Sequence, residues 1–127
     1  MEKIAIAIHG GAGTILKNLL SAEQEVAYIN ALKQLADAAS EIGIERYVLD
    51  DGWFHGRHDD TSSLGDWWPD TGKYPDGLAP LADHVTALGM EFGLWVEPEM
   101  INPDSALYRA HPEWVLALPA EPVTARR

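Results

Sequence analysis

The 127-residue sequence contains no cysteine. A disulfide framework and a metal site built on thiolates are therefore both excluded. The absence of cysteine does not by itself fix a cellular compartment. The hydrophobic content of 46% is that of a globular domain, and the length suits one ordinary domain with a sizeable core.

Basic residues are scarce, with nine Lys and Arg against 20 Asp and Glu and a formal net charge of −11. Nucleic acids and anionic membranes both require a basic surface on the protein that binds them. The charge therefore argues against either partner. The simplest interpretation of the acidity is solubility.

Long apolar runs are also missing. The run Ile4–Ile8 near the N-terminus is too short to span a bilayer, and it lacks the basic region and cleavage site of a secretory signal. We therefore expect a cytoplasmic protein.

The apolar pattern predicts an α/β fold with the order β-α-β-α-β. The three strands are expected at Lys3–Ile8, Arg46–Leu49 and Glu91–Val96, and helices at 22–42, 78–88 and, after a cap at 102–105, 106–110. This alternation requires a parallel sheet with right-handed crossovers. The tail 119–127 has no periodicity and is expected to be frayed.

A long loop, residues 52–76, follows the strand that ends at Leu49. Parallel α/β units are normally joined by about 2–6 residues, so a loop of this length indicates function. In a (β/α)₈ barrel substrates bind at the carboxyl ends of the strands, and a doubly wound sheet also places ligands there. The loop alone does not choose between the two folds.

Acidic and indole side chains lie at the ends of the second and third predicted strands. Asp50 and Asp51 precede Trp53, and Trp95 precedes Glu97. Ionised carboxylates accept hydrogen bonds from sugar hydroxyls, and an indole packs against the C–H face of a sugar ring. The structural alternatives are that one aspartate caps the loop and that Trp95 belongs to the core.

Other patterns carry less information. Trp67 and Trp68 add aromatic side chains to the long loop, where they either bind a ligand or pack on the loop itself. Glu97 and Glu99 could serve as an acid and a base, but only their separation in space would decide that. The spacing of His55, His58, Asp59 and Asp60 and the glycine-rich run 9–13 match no standard metal or phosphate motif. We therefore expect no metal and no cofactor.

Residues 35–118 resemble the bacterial α-galactosidases of glycoside hydrolase family 36. The matching stretches are 47–54, 64–68, 80–85 and 89–100, continuing through 102–105 to 110–116. The resemblance implies a part of a (β/α)₈ (TIM) barrel that releases terminal α-linked galactose with retention. It implies that Asp50, Asp51 and Trp95 contact galactose and that Trp53 and Trp67 lie near the site.

The family's catalytic residues have no counterpart in these 127 residues. The resemblance places the nucleophile in a Lys-Trp-Asp motif and the acid/base aspartate after it, and neither motif occurs here. The family's Arg-Asn-Gln stretch is absent as well. We therefore assign no catalytic residue. The chain is expected to keep part of the galactose subsite and to bind galactose or an α-galactoside weakly, with little or no turnover.

Residues 1–34 resemble a different family, the plant-type isoaspartyl peptidases/L-asparaginases. The resemblance rests on the stretches 4–15 and 25–32. That family needs an autoproteolytic threonine, which has no counterpart here, so amidohydrolase activity is the weakest alternative. A chimera joined near residues 33–35 is predicted, with open sheet edges that favour self-association. A catalytically silent scaffold is the remaining alternative.

Overall fold

The computed structural model describes residues 21–116. Its elements are α1 (Ala22–Glu41), β1 (Arg46–Leu49), α2 (Ala79–Ala87), β2 (Glu91–Leu94), α3 (Ala106–Ala110) and a 3₁₀ turn (Pro112–Trp114). The helices and the first of these strands lie within a residue of their predicted bounds. The predicted strand Lys3–Ile8 and the tail 119–127 fall outside the described residues.

β1 and β2 form a parallel pair, as the alternation of elements predicts. The register runs from Arg46 opposite Glu91 to Leu49 opposite Leu94. The prediction that β2 extends to Val96 is wrong, because β1 has by then ended in a turn at Gly52, whose φ is +93°. One further bond follows the strands, since the N–H of Trp95 donates to the carbonyl of Leu49 at 2.9 Å.

The core lies between one face of this pair and the helices α1 and α2. Tyr47 and Leu49 are buried on that face, and the hydroxyl of Tyr47 donates to the carbonyl of Leu32 in α1 at 3.2 Å. Leu81 and Val85 of α2 are buried in the same cluster. On the opposite face of the sheet Val48 is 57% exposed. β1 therefore buries alternate side chains, as a one-sided helical layer requires, whereas no side chain of β2 is fully buried.

Both long helices end in the same way, with a glycine in the left-handed region. At the end of α1 the N–H of Gly43 donates to the carbonyl of Ser40 and that of Ile44 to the carbonyl of Ala39. This pair of bonds is a Schellman motif, and it ends α1 one residue before the predicted bound at residue 42. The same pair of bonds, at Gly89 and Met90, ends α2. Each motif turns the chain directly into a strand.

The loop 50–78 is irregular but extensively bonded. Phe54 and Pro69 form an isolated antiparallel bridge. Beside it, the N–H of His55 donates to the carbonyl of Trp68 at 2.8 Å and that of Asp70 to the carbonyl of Trp53 at 3.0 Å. The loop therefore folds back on itself as a short ribbon.

The same loop is also bonded to the segment that follows β2. The N–H of Leu64 donates to Oδ1 of Asn102 at 2.7 Å, and the N–H of Asn102 donates back to the carbonyl of Leu64 at 3.0 Å. The buried Asp66 carboxylate accepts from the N–H groups of Ala106 and Leu107 at the start of α3. Ser105 caps α3 by accepting from the N–H of Tyr108 at 3.1 Å, as the sequence predicts.

Among residues 21–116, no helix combines the length and apolar character needed to cross a membrane.

Gly89→Ala is expected to destabilise the fold by about 1 kcal/mol, because alanine resists the left-handed conformation that Gly89 adopts at φ +84°. Free space surrounds the position, so backbone strain is the whole effect. Gly93→Ala is the matched control, since its added Cβ would meet Val48 at an ordinary 3.5 Å. Urea unfolding measures both changes, and an equal loss in the two variants would contradict the prediction.

Candidate functional site

The candidate site lies where the carboxyl ends of β1 and β2 meet. The register pairs Leu49 with Leu94, so the next residues along the strands, Asp50 and Trp95, stand opposite each other. Asp50 and Trp95 are both half-buried, and Trp95 packs against the core cluster. The parallel pairing therefore brings the backbones of Asp50 and Trp95, which follow two separate strands in the sequence, to the same edge of the sheet.

Asp51 lies in the turn after β1 and is held by Arg57. Its Oδ1 accepts from Nε of Arg57 at 2.9 Å and from the N–H of Gly52 at 2.6 Å, and its Oδ2 accepts from Nη2 of Arg57 at 2.7 Å. The Asp51 side chain is 41% exposed, whereas that of Arg57 is 2% exposed. Asp50 is joined to this turn because its Oδ1 accepts from the N–H of Asp51 at 2.8 Å.

Arg57 is itself fixed by further contacts. Its Nη1 donates to the carbonyl of Ser62 at 2.8 Å, and its guanidinium carbon lies 5.4 Å from the centre of the Phe54 ring. A buried guanidinium with a bidentate carboxylate partner has little freedom to reorient.

Lys73 supports the same segment from the far side of the loop. Its Nζ donates to the carbonyls of Gly52 and Arg57, both at 2.8 Å. Burial lowers the pKa of the Lys73 ammonium, and the nearby charges of Asp70 and Asp51 oppose that shift. The segment from Asp51 to Arg57 is therefore held both by its side chains and by its carbonyls.

Sequence reasoning missed both cations as parts of the site. The sequence motifs assigned no role to Arg57 or Lys73. A signal existed: Arg57 and Lys73 are the only basic residues in a loop that contains seven aspartates. Isolated cations in an acidic segment are candidates for charge-paired positions.

The aromatic residues of the loop form one cluster with Trp95. Trp67 lies 4.6 Å from Phe54, 6.4 Å from Trp53 and, edge to face, 6.2 Å from Trp95 between ring centres. Trp53 is only 3% exposed, and its indole N–H donates to the carbonyl of Trp95 at 2.9 Å. In this position Trp53 supports the Trp95 backbone, while Trp67 and Trp95 remain half-buried.

The remaining candidates lie outside this arrangement. His55 is exposed and stacks on Trp68 with ring centres 5.5 Å apart. In the described part of the chain, no three acidic or histidine side chains are placed to hold a metal ion. Glu97 is half-buried and Glu99 exposed, in the irregular segment after β2.

The sequence profile of the family described as Melibiase matches residues 15–127. The chain belongs to this family. It is 59% identical to an Escherichia coli α-galactosidase over 88 residues, which are 69% of this chain and 12% of that protein. These matches confirm the predicted resemblance of the sequence to the α-galactosidases of glycoside hydrolase family 36.

Solved structures give the same result. An α-galactosidase from Lactobacillus brevis is 48% identical, with a TM-score of 0.67 over 76% of this chain and 13% of that one. A variant of the Geobacillus stearothermophilus α-galactosidase AgaA in complex with raffinose is 49% identical, with a TM-score of 0.64 over 80% of this chain and 14% of its own. This Melibiase chain thus spans a small part of the length of the relatives that it matches.

Asp51→Asn is expected to destabilise the fold by about 3 kcal/mol, because it leaves the buried Arg57 guanidinium without a countercharge. Arg57→Met should cost less, on the order of 1–2 kcal/mol, since the half-exposed Asp51 can regain water. Arg46→Met is the control: it breaks the Arg46–Glu91 pair, whose side chains are 74% and 70% exposed, and should cost about 0–1 kcal/mol. Chemical unfolding measures all three, and the reverse order for Asp51 and Arg57 would contradict the assignment.

Asp70 is expected to make stability depend on pH. Burial by itself raises the pKa of its carboxyl, but hydrogen bonds from the N–H groups of Gly72 and Lys73 act together with the positive charge of Lys73, and the net pKa is lowered. A lowered folded-state pKa gives stability that is fully present above the ordinary value of about 3.9 and is lost as the pH falls through the folded value.

The thermal midpoint of Asp70→Asn should therefore lie below that of the unchanged chain at pH 7, and the difference should shrink below about pH 4. Asp83→Asn, on the exposed side of α2, is the control and should leave the midpoint unchanged at pH 7. A difference that stays constant or grows toward low pH would contradict the role given to Asp70.

Proposed function

We propose that this chain carries part of the galactose subsite of an α-galactosidase, with Asp50, Asp51 and Trp95 in contact with the sugar. The observation that carries the proposal is the placement of Asp50 and Trp95 opposite each other at adjoining strand ends. Two carboxylates can accept hydrogen bonds from the ring hydroxyls of a sugar there, while the indole covers the C–H face of the sugar ring. The AgaA variants in complex with raffinose and with stachyose support galactosides as the ligand class.

Trp53 and Trp67 belong to the proposal in different ways. Trp67 is half-buried beside Trp95 and can contribute aromatic surface to a ligand. Trp53 is buried, and its bond to the Trp95 carbonyl makes it a support for that residue. For Trp53 we propose proximity to the site, as the resemblance implied, with the sugar contact made by its neighbours.

The architecture that we propose is a part of a (β/α)₈ barrel. The parallel pair β1–β2, with α1 and α2 packed on one face, is the repeating unit of such a barrel. In that arrangement the face that carries Val48 would line the interior of the barrel, and Asp50 and Trp95 would stand at its carboxyl-terminal rim. Substrates bind at that rim in barrels of this class.

We propose that these 127 residues bind sugar with little or no turnover. The support is the absence from the sequence of the Lys-Trp-Asp motif that the resemblance associates with the nucleophile. The relatives are several times longer than the matched part, since that part is 12% of the Escherichia coli protein. The activity of a complete α-galactosidase is therefore not proposed for the 127 residues alone.

We propose a chimera whose first 34 residues derive from an isoaspartyl peptidase-like sequence, although the Melibiase match begins at residue 15 and α1 continues unbroken through residues 33–35.

We also propose a cytoplasmic protein without nucleic-acid or membrane partners, given its charge of −11. Self-association through the open edges of the sheet is proposed on general grounds.

Calorimetric titration with galactose tests the function. The unchanged chain should bind in the millimolar range, and Asp50→Asn or Trp95→Ala should weaken binding at least about tenfold, equivalent to about 1.4 kcal/mol. Trp114→Ala is the control, because that indole is exposed and stacks on His111, outside the aromatic cluster of Trp53, Phe54, Trp67 and Trp95. No binding at millimolar galactose would overturn the proposal.

Hydrolysis of an aryl α-galactoside tests the expected lack of turnover. The unchanged chain should release no more product than buffer does. Hydrolysis that disappears in an Asp50→Ala/Asp51→Ala double variant would show that the chain is an enzyme in its own right.

A further inference from the structure

The Asp51 carboxylate has little hydrogen-bonding capacity left for a ligand. An ionised carboxylate offers about four acceptor positions, two on each oxygen. Oδ1 accepts from Nε of Arg57 and from the N–H of Gly52, and Oδ2 accepts from Nη2 of Arg57. The remaining acceptor position is therefore on Oδ2, on a side chain that is 41% exposed.

The direction of that remaining position is set by Arg57. The guanidinium forms two parallel bonds to the carboxylate, which prevents the carboxylate from turning about its Cβ–Cγ bond. The Arg57 side chain cannot move together with that of Asp51, because its Nη1 donates to the carbonyl of Ser62 and the side chain is only 2% exposed. Lys73 holds the carbonyls of Gly52 and Arg57 at the two ends of the same segment.

We infer that Arg57 is a positioning residue that determines specificity, by fixing Asp51 so that it accepts a sugar hydroxyl from one direction only. The inference rests on the proposed galactose subsite and adds to it a reason for discrimination between epimers. Galactose and glucose differ only in the direction of one ring hydroxyl. A fixed acceptor distinguishes the two directions, whereas a carboxylate free to turn accepts from either.

The test compares galactose with glucose, titrated into the full chain and followed by calorimetry. The unchanged chain should prefer galactose at least about tenfold. Arg57→Met should bring the ratio of the two affinities close to one, mainly through weaker galactose binding. Arg57→Lys keeps the positive charge but lacks the bidentate geometry. It should therefore also bring the ratio of the two affinities close to one. Arg46→Met removes an arginine from an exposed pair and should leave the ratio unchanged.

Lys73→Met is the second variant, because Lys73 makes no hydrogen bond to the Asp51 carboxylate and holds only the carbonyls of Gly52 and Arg57. It should lower the ratio less than Arg57→Met does. Circular dichroism establishes that each variant is folded at the temperature of the titration.

The outcomes separate this inference from the proposed function. If the unchanged chain binds neither sugar, both are overturned. If it prefers galactose and the Arg57 variants keep the same ratio, even with weaker binding of both sugars, Arg57 has only a structural role. In that case the inference is overturned and the proposed function stands.

Discussion

The parallel pairing of β1 with β2 is the constraint on which the rest of the structure depends. Two parallel strands end at the same edge of a sheet, so whatever follows them in sequence meets in space. The register from Arg46 opposite Glu91 to Leu49 opposite Leu94 thus decides that Asp50 stands opposite Trp95. A shift by one residue would bring different residues together at this edge. A Schellman motif ends the helix before each strand and so fixes where the strand begins.

The long loop 50–78 keeps its shape through side chains that bond to the backbone. Ordering an irregular segment costs conformational entropy without the repeated bonds of a helix or strand. Here Asp66 bonds to the start of α3, Asn102 to Leu64, and Lys73 to two carbonyls within the loop. These bonds supply the partners that regular structure would otherwise provide, and they join the loop to the segment after β2.

The elements could be predicted from the sequence because periodicity and glycine placement are local. α1, β1 and α2 lie within about a residue of their expected bounds for that reason. The interior of the loop could not be predicted, since its bonds join residues such as Leu64 and Asn102 that are 38 positions apart. The pairing of Asp51 with Arg57 was missed for a different reason: the two are near in sequence, but nothing in the spacing shows which cation is buried.

The two halves of the candidate site therefore depend on different parts of the fold. Asp51 is fixed by partners from its own loop, namely Gly52 and Arg57, and through them by Ser62 and Lys73. Trp95 is held by two hydrogen bonds: its N–H donates to the carbonyl of Leu49 in β1, and its carbonyl accepts from the indole N–H of Trp53. A change that disturbs β2 should consequently remove the aromatic surface while the carboxylate keeps its direction. Selection of a hydroxyl and stacking of a ring are thus separable properties of this Melibiase chain.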